Sequence, residues 1–207
     1  EALLGNLEAL KYKPTACELM DHFILDCTKA NKEQEQNRFF VKGDPKAILV
    51  VEFVEETQEK LDSVIVKCLA NFEKTKLGYH FPVVTGADIK KVWTLRKAGL
   101  GLLSNIPGDA KAVAVIEDTA VDVNDLPDFI EAFNEILKKR NLICVHYAHA
   151  ATGELHLRPI IDLKTEEGNQ LFKTIATDIA HLVKQYKGSL SGEHGDGRLR
   201  AEYIPFM

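Results

Sequence analysis

Apolar residues recur along this chain at two spacings, about 3.6 and about 2, and the switches between them mark out helices and strands. Leu19, Phe23, Ile24 and Cys27 repeat at helical spacing, which predicts a helix from Thr15 to Asn31 with Thr15 capping its start. The polar stretch Lys32 to Asn37 reads as a loop, and Ala47 to Val54 as a buried strand. From Glu56 to Leu77, residues Leu61, Val64, Ile65, Cys68, Leu69 and Phe72 share one helical face, with Gly78 ending the helix. Tyr79 to Val84 is the next predicted strand. Ala87 to Leu103 is the next helix, carrying Trp93 and Arg96 and loosened by Gly99 and Gly101.

Pro107-Gly108-Asp109 is a turn signal, after which Lys111 to Glu117 alternates as a strand. Asn124 to Arg140 is amphipathic, with Leu126, Phe129, Ile130, Phe133, Ile136 and Leu137 inward. Ile143 to His149 and Glu154 to Ile161 are predicted strands joined by a short turn at Ala151-Thr152-Gly153, and Thr165 to Lys187 is the last long helix. Strands separated by helices in this order predict an α+β fold: ferredoxin-like βαβ halves forming one mostly antiparallel sheet covered by helices. With no linker between the halves, residues 1–207 read as one structural unit.

The 207 residues are 45% apolar, enough for a sizeable core. A net charge of −5 argues against a nucleic-acid binder. No apolar run approaches the roughly 20 residues needed to span a bilayer, and no signal-peptide pattern opens the chain. It starts at Glu1, which reads as a piece of a longer protein. Cys17, Cys27, Cys68 and Cys144 form no Cys-x-x-Cys pair and read as buried thiols of a reducing compartment.

Two segments carry chemistry. Ser191-Gly192-Glu193-His194-Gly195-Asp196-Gly197-Arg198 offers an acid, a base and a guanidinium between glycines, and lacks the strand and following helix that a dinucleotide fingerprint requires. His149 and His156 flank a tight turn between two strands, whereas the parity of His146 turns it to the other face. Two histidines and a carboxylate such as Glu193 form a common catalytic metal set, and satisfied surface or core histidines fit the same spacing. Arg96, one turn from Trp93, reads either as a stacked or ion-paired helix residue or as a clamp for a carboxylate. Lys111 adds a positive charge at a strand end.

Trp93-x-x-Arg96, Gly108-Asp109-Ala110-Lys111, Glu117-Asp118-Thr119-Ala120-Val121, His149-x6-His156 and Ser191-Gly192-Glu193-His194-Gly195 follow one another in a familiar order. From about Asp21 onward the chain resembles the C-terminal substrate, or cap, domain of FAD-linked oxidases in the vanillyl-alcohol oxidase superfamily. That group includes D-lactate dehydrogenase, the glycolate oxidase D-subunit and D-2-hydroxyglutarate dehydrogenase. The Gly-Asp-Gly-Arg ending is most similar to large bacterial members that carry an added iron–sulfur module with 4Fe-4S clusters.

The resemblance implies a domain that places a small 2-hydroxy acid against FAD, the flavin being bound mainly by an N-terminal domain absent from this chain. It implies His149, His156 and Glu193 as ligands of a zinc or manganese ion, and His194 as the base that takes the hydroxyl proton. Glu193, His194 and Gly195 would border the cofactor, while Arg96, Lys111 and Arg198 would serve the substrate carboxylate, Arg198 alternatively bracing its loop. Electrons would pass from the flavin to a further acceptor, in a cytoplasmic protein or one peripheral to the inner membrane. The isolated chain is expected to be inactive.

Two positions depart from the family pattern. The family's usual Gly-Asp-Gly-Asn between the histidines is Ala151-Thr152-Gly153-Glu154 here. The Asn that some members carry two positions after the second histidine is Arg158, which cannot ligate a cation and is expected to recruit an acidic substrate or pair with Glu154. A non-catalytic ferredoxin-like module holding a metal or anion, and a metal hydrolase built on His149, His156 and Glu193, are the competing readings.

Overall fold

The structure, a computed structural model, describes residues 1–29 and 31–207. The chain forms two compact units, residues 1–103 with 149–151, and residues 104–148 with 152–207.

The first unit contains α1 (Ala2–Leu10), β1 (Ala16–Asp21), α2 (His22–Lys29), α3 (Lys32–Glu35), β2 (Ala47–Glu52), α4 (Gln58–Thr75) and α5 (Ile89–Leu102). Its strands pair antiparallel, from Ala16 opposite Glu52 to Asp21 opposite Ala47. Ala9, Cys17, Cys68 and Phe72 form a core with Leu49 and Val51 packed against it. Each large apolar side chain buried this way contributes about 1.5–3 kcal/mol.

The predicted helix from Thr15 to Asn31 is corrected here, with position 30 outside the described residues. Its first part is β1, buried from Cys17 to Asp21, and only His22 onward is helical. A strand buried on both faces shows no alternation, so its Leu and Met read as helix formers until pairing with β2 overrides them. The expected loop at Lys32 to Asn37 is helical instead: the Asn31 side chain caps α3 by accepting from the backbone N–H groups of Glu33 and Gln34. Tyr79 to Val84 forms no strand, and α4 stops at Thr75 with Lys76 as its left-handed cap, ahead of Gly78.

Gly99 in α5 is a packing residue. A Cβ there would lie 2.3 Å from Ile24 Cγ2, so only glycine lets α2 lie this close to α5.

The second unit contains β3 (Lys111–Ala112), β4 (Ile116–Ala120), α6 (Leu126–Lys139), β5 (Cys144–His149), β6 (Glu154–Ile161), α7 (Glu166–Gln185) and α8 (Gly197–Arg200). The single strand expected from Lys111 to Glu117 is thus two, and the second runs on to Ala120. Both lie antiparallel on β6, Lys111 opposite Ile161 and Ile116 opposite Leu157. β5 lies on the other side of β6, and after α7 Ser189 bridges antiparallel to Ala120. Strand–helix–strand–strand–helix, completed by the single bridge at Ser189, follows the ferredoxin-like order, and the α+β class with antiparallel pairing agrees with the sequence. α7 starts where Thr165 accepts from the Gly168 N–H, and it packs Ile175, Ile179 and Val183 inward while α6 supplies Phe129, Phe133 and Leu137.

Candidate functional site

The site in the second unit grows from one irregularity in β4. The β4–β6 register slips between Glu117, which faces His156, and Thr119, which faces Leu155. The extra residue is Asp118, fully buried and at φ 75°, a β-bulge that turns its carboxylate out of the ladder toward the C-terminal loop.

That carboxylate is the loop's anchor. The Ser191 hydroxyl donates to Oδ2 at 2.5 Å, the Glu193 N–H to Oδ1 at 2.9 Å and the His194 N–H to Oδ2 at 2.8 Å. The Asp118 carbonyl accepts from the Gly192 N–H at 2.7 Å. Ser191 Oγ in turn accepts from the Gly195 N–H, and the buried Arg200 donates to the Gly195 carbonyl while lying 3.7 Å from Asp118. Burial by itself would push the Asp118 carboxyl up. The donors from Ser191, Glu193 and His194, with a further hydrogen bond involving Glu154, outweigh it and bring the group down to about 2.

Held in this way, the loop presents Glu193 and His194. The His194 ring stacks on that of His156, centroids 5.4 Å apart and planes 17° from parallel, and His194 Nε2 lies 3.2 Å from Glu193 Oε1. His156 is buried on β6, with Glu154 two residues before it and Arg158 two residues after it on the same face. Its Nε2 is 3.7 Å from Glu154 and its Nδ1 3.8 Å from Glu117. Arg158 donates to Glu117 at 2.5 Å, which corrects the expected pairing with Glu154.

Four carboxylates, Glu117, Asp118, Glu154 and Glu193, thus gather with two arginines, Arg158 and Arg200. Glu154, His156 and Glu193 each offer a ligand atom, and these atoms lie within 4.8 Å of one another. Imidazole plus carboxylate in an acid-rich setting is donor chemistry that suits a divalent cation.

His149 belongs to the first unit, where its Nδ1 lies 3.0 Å from Glu18 Oε1. Glu18, on β1, also accepts from Arg96 Nε at 3.1 Å and Nη2 at 2.5 Å. Arg96 is therefore a buried, ion-paired helix residue. Orienting an imidazole through a carboxylate is how a histidine is commonly readied to ligate a metal through its other nitrogen. Lys111 donates to the carbonyls of Ser104 and Ile106, and Arg198 is exposed on α8. His146 Nε2 lies 3.1 Å from the Asn134 side-chain oxygen.

Sequence reading overlooked Glu18 and gave Asp118 no role. For Glu18 the available signal was a charged residue between the apolar Cys17 and Leu19, whereas Asp118 stands between the polar Glu117 and Thr119 and gave no such contrast.

Residues 5–207 match the family described as FAD linked oxidases, C-terminal domain. The chain belongs to this family. As an FAD-linked oxidase C-terminal domain it is 32% identical over 214 residues to D-2-hydroxyglutarate dehydrogenase of Pseudomonas putida, covering 99% of this chain and 21% of that protein. It is 34% identical over 215 residues to D-2-hydroxyglutarate dehydrogenase of Haemophilus influenzae, covering 98% and 21%. Over 207 residues it is 24% identical to glycolate oxidase subunit GlcD of Bacillus subtilis, covering 97% and 41%. The domain thus spans about a fifth of the two dehydrogenases it matches. Among the described residues no helix is long and apolar enough to cross a membrane.

Proposed function

We propose that this domain is the substrate-holding and catalytic part of a flavin-dependent dehydrogenase that oxidises a 2-hydroxy acid to the 2-oxo acid. The observation that carries the reading is the Asp118-anchored loop, which presents Glu193 and His194 beside the buried His156. Membership of the FAD-linked oxidase family, and relatives named for D-2-hydroxyglutarate and glycolate, point to the same class of substrate.

In this reading His156 and Glu193 would hold a divalent cation, zinc or manganese. When bound, such a cation would supply Lewis acidity at the substrate hydroxyl, and the flavin would supply the hydride acceptor. His194 takes the hydroxyl proton. An imidazole placed beside a bound hydroxyl is a side chain suited to accept its proton. Lys111 and Arg198 bring positive charge for the substrate carboxylate. Arg96 acts through Glu18, which in turn orients His149. Glu193, His194 and Gly195 would border the flavin.

In the full-length protein carrying its flavin, His194→Ala should slow flavin reduction by 2-hydroxy acids about 10²–10⁴-fold. Stopped-flow traces unchanged from wild type would remove His194 from the reaction and leave a module that only binds.

A further inference from the structure

The geometry points to Glu154 as an additional ligand of the cation, an inference that rests on the proposed His156–Glu193 metal site and makes its donor set richer in carboxylate. Glu154 and His156 sit two apart on β6, so both project from one face of the strand. The Glu154 Oε1 to His156 Nε2 distance is 3.7 Å, and the ligand atoms of Glu154, His156 and Glu193 are mutually within 4.8 Å. Bonds of about 2.0–2.2 Å from a common centre to each donor bring ligand atoms to separations of this order.

The surroundings are built to admit this carboxylate. A Cβ on Gly192 would meet Glu154 Cγ at 3.0 Å, Cδ at 3.1 Å and Asp118 Oδ1 at 3.4 Å, so the residue before Glu193 leaves room for the acid. Arg158, the cation nearest Glu154 along the strand, is engaged with Glu117. Glu154 is only 8% exposed and shares its surroundings with the buried Asp118. A divalent ion held between Glu154 and Glu193 would give the buried Glu154 carboxylate the counter-charge that burial calls for.

A second carboxylate also changes which ion fits. Imidazole suits zinc well, whereas each added carboxylate oxygen shifts a site toward harder ions such as manganese. Glu154 therefore biases this domain toward Mn²⁺.

The test is calorimetric titration of Mn²⁺ and of Zn²⁺ into the full chain, wild type and Glu154→Gln, with the electron paramagnetic resonance spectrum of bound Mn²⁺ as a second readout. The substitution should weaken Mn²⁺ about tenfold or more, weaken Zn²⁺ less, and alter the Mn²⁺ spectrum. Gly192→Ala, which crowds Glu154 and leaves every ligand in place, should weaken Mn²⁺ in the same direction. His156→Ala separates the two levels of the proposal. If it abolishes binding while Glu154→Gln and Gly192→Ala bind Mn²⁺ like wild type, the role of Glu154 is overturned and the site stands. If His156→Ala binds both ions like wild type, or the wild type binds neither, the metal reading falls and takes Glu154 with it.

Discussion

At the scale of single residues, a few buried charged or reactive groups define this domain. Three donors converge on the Asp118 carboxylate, so Asp118→Asn should lower the unfolding free energy by about 2 kcal/mol, read as a lower urea midpoint at neutral pH. An unchanged midpoint would mean that the loop is held by other contacts. Cys17 titrates in the opposite sense: burial, with smaller effects from Glu18 and Cys68, pushes its thiol up to about 12. A folded value above the unfolded one stabilises fully below the unfolded thiol range, and that stability is lost as pH rises through the folded value. Alkylation of Cys17 should therefore be slow in the native protein from about pH 8 to 10, rising about tenfold per pH unit with no plateau because its thiolate stays a minor species, and should speed up sharply on denaturation; mass spectrometry of labelled peptides decides it. His194 and Glu193 were legible in the sequence because glycines frame them. Asp118 and Glu18 were not, because a buried charge announces itself only through its partners, and those lie 73–76 and 78–131 residues away.

At the scale of elements, amphipathic periodicity found α4, α6 and α7 nearly to their ends, and the β5–β6 hairpin with them. It failed at β1, where burial on both faces erases the alternation, and in the β3–β4 stretch, where the bulge at Asp118 breaks the period-2 pattern. Gly99 shows how an apparent weakness becomes a packing device. Alanine normally stabilises a helix relative to glycine, yet Gly99→Ala should destabilise the protein by about 1–3 kcal/mol, since its methyl would collide with Ile24. Ile24→Ala should recover part of that loss when the two are combined, and a thermal-unfolding double-mutant cycle would expose the coupling. Strictly additive effects would show that α2 and α5 adjust without strain.

At the scale of the whole molecule, the domain covers about a fifth of the dehydrogenases it resembles, and the acid–base and metal-ligand groups proposed for it would act with a flavin proposed to sit mainly elsewhere. Residues 1–207 produced alone should purify without a flavin absorption band and should not oxidise 2-hydroxy acids; a stoichiometric flavin spectrum would refute that. The staple between β4 and the C-terminal loop also bears on how the protein acquires its reactivity. Its hydrogen bonds close a loop of 73–76 residues, an ordering cost that grows with the logarithm of loop length and is met only once α6, β5, β6 and α7 have formed between the two ends. Competence for chemistry should therefore appear late during refolding, after most secondary structure, so that a partly folded chain is inert rather than promiscuous.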